Sequence, residues 1–489
     1  MLSKLPRRAL PGLLPLLPFT ARAQSGRPDV AQQTQAGLGA PPGGPAELAQ
    51  RTVYRRAVEA VIWGMPAVNY ELMAQAMLKS GAAFNQIVYW SKPLSWLNQT
   101  LTPNTDTIYL MPFYNTQDAG PMVLEIPAAG EGSITGSIDD GWQTALEDVG
   151  PAGVDKGAGG KYLILPPGYQ GTRPDGYVAL DSATYAGFAL LRSNLSGGSE
   201  EDRAKAVRYG RQVRFYPLAQ AANPPETRFI DAADILFDST IPYDLRFFQA
   251  LHRFVQREPW IERDRAMIDL LRTIGIEKGK AFAPNAAVQD SLGAGIREAQ
   301  QILNAEYEAL YSPPYFDGSH WALPISPALA SGIQSNYADP NSYPTEGRGV
   351  AYSFAFFSAK HLGEGQFYLF TIHDRAGNAF EGGATYRLRV PANVPVRLYW
   401  SVTAYDRQTH ALIRELPWSS RSSNTPGLQR NSDGSVDLHF GPAAPQGQDS
   451  NWIPTRAGAG FEALFRFYGP ERALLDKTWR LPDIERSAG

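Results

Sequence analysis

At 489 residues the chain is too long for one ordinary hydrophobic core, and its length corresponds to roughly three folding units. Hydrophobic residues at 43% argue against a disordered chain, and 46 glycines with 39 prolines favour many short strands joined by turns. The formal net charge is −3 with Lys and Arg scattered, so no basic stripe exists to neutralise a phosphate backbone, and nucleic acid is not an expected partner.

The N-terminus reads as a processing signal. Lys4, Arg7 and Arg8 precede an apolar run from Ala9 to Phe19, and Ala21-Arg22-Ala23 carries small residues where cleavage requires them. A signal peptide over 1–23 is expected, with an exported, periplasmic or secreted product. The run is shorter than the ~20 residues a spanning helix needs, and Pro11, Pro15 and Pro18 interrupt it, so no stable membrane insertion is expected. Arg7-Arg8 leaves a twin-arginine route open beside general secretion. A flexible leader rich in Gly, Pro, Ala and Gln is expected over 24–50. The chain has no cysteine, which removes thiol nucleophiles and thiolate metal sites.

From Thr52 to Leu78, Val58, Val61, Ile62, Met65, Leu72, Met73 and Met77 recur at helical spacing. Pro66 predicts two helical pieces with a kink at Gly64-Met65-Pro66. Short apolar runs cut by Gly, Pro, Asn and Asp follow: "TIYLMPFY", "MVLEIP", "GSITGSI", "KYLILPPG", "GYVAL" and "YAGFALLRSNL". They predict a sandwich or barrel-like sheet domain. A charged helix is expected from Glu200 to Val213, then three more: one carrying Phe247, Phe248, Leu251, Phe254 and Val255, one carrying Met267 to Ile274, and the longest from about Ala286 to Tyr311. From about Gly347 strand texture returns in "GQFYLFTIHD", "TYRLRVP", "VRLYWSVTAYD", "VDLHFG" and "GFEALFRFYG", with alternation suited to a sheet covered on one face. The expected fold is mainly β with an α-helical insertion (α+β): two β-sandwich-like domains, over 51–240 with leading helices and over 347–489, separated by a helical segment and linker over 241–346.

Placed on these segments, several motifs resemble a known pair. "TPNTDTIY", "GKYLILPPG", "IGIEKGKAF", "YRLRVP" leading to "YWSVTAYD", "TPGL", "NSDGS", "SNWIPT" and "LDKTWRLPDIER" are similar to bacterial exported proteins with domains of unknown function 1254 and 1214 in tandem. The resemblance runs from about Arg51 to Arg486. It implies two sandwich-like domains with a helical insertion and a tendency to homo-oligomerise, and it implies no particular reaction. One departure stands out: relatives carry a Gly-Asp-Arg-Thr type segment before "TPGL", whereas "PWSSRSSNTPGL" lacks the acid and keeps Arg421 as the only nearby charge.

Asn104, Thr105 and Asp106 follow Pro103, which suits a turn feeding a strand. Loop residues held by a sheet also bind ligands, so Asp106 and Tyr109 are candidates; they converge only if the strand starts after Asp106. Asp139 and Asp140 invite a paired-carboxylate reading, but neighbours on a strand point to opposite faces and Asp-Asp-Gly is turn chemistry. Trp142 beside them suits ring recognition or core packing. The six histidines show no metal-ligand spacing; His373 beside Asp374 is a strand-end candidate base, and His252 is expected to hydrogen-bond at the edge of its helix stripe. Gly-x-Ser-x-Gly, dinucleotide and phosphate-loop fingerprints are absent. At the C-terminal rim, Trp400, Tyr405 and Asp406 end one strand and Asn451, Trp452 and Arg456 follow another, an aromatic and polar mixture fit for a small-molecule pocket.

The function expected is an exported protein acting on a small organic or sugar-like molecule, a hydrolase or lyase with carboxylate acid–base chemistry. Asp106, Tyr109, Asp139 and Asp406 are the catalytic candidates, and Trp142, Trp400, Asn451, Trp452 and Arg456 the substrate-binding ones. No cofactor is required by the sequence; a divalent metal on Asp and Asn oxygens would support the enzyme. The alternative is a non-catalytic periplasmic ligand-binding or cell-envelope interaction protein.

Overall fold

The computed structural model describes residues 44–355, 359–361 and 365–487. The expected signal peptide over 1–23, and the expected leader as far as residue 43, lie outside the described residues. The last part of the 24–50 segment is helical rather than flexible, because helix α1 runs Pro45–Lys79. Proline is well placed in a first turn, where its missing N–H costs nothing, and Ala-Glu-Leu-Ala-Gln are strong helix formers.

α1 corrects the expected two pieces: it continues through Pro66 as one 35-residue helix. Pro66 cannot donate to the Ile62 carbonyl. A neighbouring helix closes on that oxygen at Gly349, where a Cβ would lie 2.8 Å from it. From Ala57 to Met77 nearly every side chain of α1 is buried, the mark of a core helix. Among the described residues no helix is long and apolar enough to cross a membrane.

Ten strands build the N-terminal sandwich: β1 (Gln86–Tyr89), β2 (Ile108–Asn115), β3 (Met122–Ile126), β4 (Ile134–Asp140), β5 (Ala145–Val149), β6 (Gly160–Leu165), β7 (Val178–Asp181), β8 (Ala186–Ser193), β9 (Arg214–Pro217) and β10 (Phe229–Asp231). One sheet has the order β10-β1-β2-β8-β4-β5, the other β9-β3-β6-β7. Alternation sorts the side chains. Leu110, Ile134, Ile138, Ala189 and Leu191 face the second sheet and share a core with Met122, Leu124, Tyr162 and Ile164. Their neighbours Tyr109, Met111, Phe113, Phe188 and Leu190 face the opposite way, into the central core of the molecule.

Helix α2 (Glu200–Gly210) packs on this sandwich and is capped by Ser199. The expected middle helices form as α3 (Leu245–Arg257), α4 (Met267–Thr273) and α5 (Ala286–Ala309). Two more follow, α6 (Pro327–Gln334) and α7 (Thr345–Phe354). α7 occupies positions where strand texture was expected to resume; Val350, Tyr352 and Phe354 join the helical core, and the first C-terminal strand begins only at Gln366.

The C-terminal sandwich consists of β11 (Gln366–Thr371), β12 (Tyr386–Val390), β13 (Trp400–Asp406), β14 (Ser420–Ser422), β15 (Val436–Gly441), β16 (Trp452–Pro454), β17 (Phe461–Tyr468) and β18 (Glu485–Arg486). Its sheets run β11-β17-β13-β14 and β16-β15-β12-β18. In β17 the apolar alternates Phe461, Ala463, Phe465 and Phe467 pack between the two sheets. The other set is also covered: Glu462 and Arg466 are 0% and 2% exposed. The alternation therefore does not mark a solvent face. It marks a polar face buried against the rest of the molecule, and Gln50 to Gly489 clusters as one compact unit. The chain is thus mixed α/β, with a helical segment between N- and C-terminal sheet regions.

Candidate functional site between the two sandwiches

The loop 102–107 joins the two sandwiches. β2 starts at Ile108, after Asp106, which is the condition under which Asp106 and Tyr109 converge. They meet on Asn104: its Oδ1 accepts from the Asp106 N–H at 2.9 Å, and its N–H donates to the Tyr109 hydroxyl at 3.2 Å. Asn104 Nδ2 reaches Tyr468 Oη at 2.5 Å and Tyr399 Oη at 3.4 Å, both on the C-terminal sandwich. Ser420 Oγ accepts from Thr105 Oγ1 at 2.6 Å and donates to Asp106 Oδ2 at 3.0 Å. Burial pushes the Asp106 carboxyl above its usual range, against the Ser420 hydrogen bond and the Arg466 and Arg421 charges. The turn read from sequence is real, and it also staples the domains.

Two arginines lie in this boundary, and their surroundings differ. Arg466 is engaged through both terminal nitrogens: Nη1 donates to Thr403 Oγ1 at 2.9 Å, and Nη2 to Thr102 O at 2.9 Å, Pro103 O at 3.2 Å and Tyr405 Oη at 2.5 Å. It holds the loop backbone in place of a solvent it cannot reach. Arg192 on β8 is opposite Tyr109 of β2 and Thr135 of β4. It is 8% exposed, its centre lies 5.3 Å from the Tyr109 ring, and its Nε finds no acceptor. The charged or titratable groups acting most on it are Tyr109, Tyr368 and Tyr468. Burial holds the Tyr368 and Tyr468 hydroxyls above the ordinary tyrosine range, so both stay protonated at neutral pH. A buried guanidinium with an idle donor is costly unless something anionic completes it.

A cavity of about 390 Å³ opens onto Arg192. Its walls come from β4, β5 and β8, from the linker at Leu323, Pro324 and Ile325, and from Phe367, Tyr368, Leu398 and Tyr468 of the C-terminal sandwich. That size and mixture, mostly apolar with a few convergent polar groups, suit a small ligand. Asp148 and His361 share the wall. Among the described residues no group of three His, Asp or Glu side chains is placed to hold a metal ion.

The sequence candidates distribute otherwise. Asp140 makes the expected turn, accepting from the Trp142 and Thr144 N–H groups at 2.9 Å each. Trp142 packs in the core, 4.9 Å from Trp63 and 5.1 Å from Phe254. Trp400 and Asp406 sit at opposite ends of β13, ~20 Å apart at strand rise, so the rim cluster does not assemble. Trp400 stacks on Phe465 in the sandwich core, and Asp406 accepts from Gln408 and Thr409 N–H groups at 3.0 and 2.9 Å. Asn451 ties Gln429 O to Asp437 O at 2.9 Å each, Trp452 Nε1 donates to Gly441 O at 2.8 Å, and Arg456 pairs with Glu415 at 3.6 Å. Arg421, at the departing segment, donates to Asp449 O at 2.9 Å and lies 4.2 Å from the Trp418 ring. His252 bonds Lys280 O at 2.8 Å at the edge of its helix, as expected. None of the nine candidate residues lines the cavity. Arg192 and Arg466 were not singled out; the available signal was a lone arginine inside an apolar strand, in "FALLRS" and "EALFRFY".

Asp139 is the candidate with the most perturbed setting. It is 0% exposed and both its oxygens lack a partner. Burial, then Asp148 and Asp140, pushes its carboxyl well above the usual 3.8, against the pull of Arg192. A folded-state value above the unfolded one means that folding takes up a proton, so this contribution is complete below 3.8 and lost as pH rises toward the folded value. Between pH 5 and 7 the protein should lose up to ~1.4 kcal/mol per pH unit that Asp139→Asn does not lose. Denaturant unfolding at pH 5, 6 and 7 checks this; parallel stability profiles for the two proteins would rule it out.

Comparison with known proteins agrees with this two-part layout. The family described as Protein of unknown function (DUF1254) matches residues 84–217, which include Arg192, and Protein of unknown function (DUF1214) matches residues 365–472, which include Tyr368 and Tyr468. Among solved structures, the VPA0106 protein from Vibrio parahaemolyticus is similar with a TM-score of 0.55 and 16% identity, over 89% of this chain and 100% of that chain. An uncharacterized protein from Burkholderia cenocepacia matches at a TM-score of 0.36 and 10% identity, over 94% and 93% of the two chains. The first likeness concerns fold alone, since folds host many functions, and the second is too low to argue from. No curated protein matches the chain. The cavity thus draws on both matched regions, and the chain carries a DUF1254 region followed by a DUF1214 region.

Proposed function

We propose that this is an exported protein, periplasmic or secreted and homo-oligomeric, that binds a small organic molecule bearing an anionic group in the cavity between its sandwiches and acts on it as a hydrolase or lyase. The observation that supports the reading is Arg192: a guanidinium buried at a 390 Å³ cavity with Nε unsatisfied. The test is a screen of the mature protein for thermal stabilisation and for turnover, using small organic acids, their esters, sugars and neutral isosteres. Stabilisation by acids that their neutral isosteres do not reproduce supports the reading; equal effects from both sink it. A non-catalytic ligand-binding protein is the second reading, and one observation favours it: Asp106, Asp139 and Asp406 all lie off the cavity. Acid-dependent stabilisation without turnover of any ester or acid would select it.

A further inference from the structure

Two strands from Arg192 in the same sheet, the cavity wall carries a hydrogen-bonded carboxylate and imidazole. Asp148 of β5 accepts four hydrogen bonds: from Ser137 Oγ at 2.7 Å, from the Lys360 N–H at 3.0 Å, from the His361 N–H at 2.7 Å, and from His361 Nδ1 at 3.2 Å. With its Nδ1–H committed to Asp148, the neutral ring keeps its lone pair on Nε2. The other charged group facing the ring is Glu147, whose carboxylate lies 3.8 Å from Nδ1 and is itself held by Lys360 Nζ at 2.9 Å. An imidazole steered by a carboxylate, on the wall of a ligand-sized cavity, has what general acid–base catalysis requires.

The charges lining the cavity narrow what it takes. Arg192 supplies one cation without a carboxylate partner, and Asp148 supplies one carboxylate already occupied by donors. A phosphate dianion would bring a second negative charge toward Asp148, and among the described residues no further Lys or Arg lines the wall to offset it. A monoanion balances Arg192 alone, and its carboxylate matches the planar guanidinium fork. Leu190, Leu323, Ile325, Phe367 and Leu398 leave the remaining space to an apolar body.

We propose that the cavity takes a monocarboxylate with an apolar body, its carboxylate on Arg192, and that His361, positioned by Asp148, is the proton-transfer group facing it. In a hydrolytic cycle His361 Nε2 would take one proton from water as the water oxygen bonds to an electrophilic carbon of the ligand, Asp148 would offset the imidazolium charge, and the imidazolium would give the proton to the leaving group as its bond to that carbon breaks, so that atoms, charge and electrons balance. This rests on the anion-binding reading of the cavity.

Calorimetry on the full mature protein, with benzoate, benzamide and inorganic phosphate as probes, tests both parts. Titrations at pH 6, 7 and 8 in buffers of different ionisation enthalpy report protons taken up on binding. Benzoate is expected to bind at least about 10-fold more tightly than benzamide or phosphate. Its binding should draw in a fraction of a proton, because a bound anion favours the imidazolium. His361→Asn should retain benzoate within about threefold yet lose the proton uptake, and Asp148→Asn should reduce the uptake. A histidine with a merely structural role would leave the uptake unchanged. Absence of benzoate binding overturns this proposal together with the anion reading. Benzoate binding with the same proton uptake in wild type and His361→Asn overturns only the role of His361, and a preference for phosphate or benzamide overturns the monocarboxylate.

Discussion

Arg466→Met is expected to lower stability by about 2–4 kcal/mol, the cost of leaving buried groups without their donor. Methionine fills similar space but donates nothing. Thr102 O and Pro103 O, on the loop between the sandwiches, lose the guanidinium, as do Thr403 Oγ1 and Tyr405 Oη. Pro103 O keeps the Tyr405 hydroxyl at 2.6 Å, so the penalty falls mainly on Thr102 O and on the loop's hold across the boundary. Arg466→Lys should recover part of the loss, since a single ammonium cannot reach all four acceptors. Equilibrium unfolding in guanidinium chloride measures both variants. A loss below about 1 kcal/mol for the methionine variant would mean that the loop is held by Asn104 and Tyr405 without it.

Arg192→Met should behave in the opposite way. Its Nε has no acceptor and its hydrogen-bond partner is the Tyr109 hydroxyl, so removing the charge removes a desolvation cost and one hydrogen bond. Stability should stay within about 1 kcal/mol of wild type, or rise. Benzoate affinity should fall at least about 100-fold, or ~2.7 kcal/mol, because a charge-assisted contact is lost in a water-poor site. Calorimetric titration beside thermal unfolding separates the two effects. Should Arg192→Met destabilise as much as Arg466→Met while leaving benzoate affinity intact, Arg192 is a structural residue and the binding reading falls.

Much of the architecture is legible from local pattern. Helical spacing locates α3, α4 and α5, because burying one stripe repeats every three to four residues whatever the partner. The runs around Tyr109, Ile138 and Leu163 become strands, and Asp140 makes its turn from its own side chain and the next few N–H groups. Pro66 misled because the interruption it implies is local, whereas the helix that packs over Ile62 is distant in sequence. The Ser401, Thr403 and Tyr405 set of β13 reads as a wet face for a similar reason: polarity is visible in the alternation, but coverage is not.

The sequence by itself determines which residues are helical or extended, which share a face, and that a DUF1254 region precedes a DUF1214 region. The site depends on contacts that no spacing encodes. Asn104 bonds Tyr468 across 364 positions, and Asp148 bonds His361 across 213. Local sterics and periodicity act over a few residues, so they say that Arg192 and Arg466 are each on a strand. Only the closing of one sandwich against the other decides that Arg466 is spent on a loop backbone while Arg192 lines the cavity with its Nε unmatched by any acceptor.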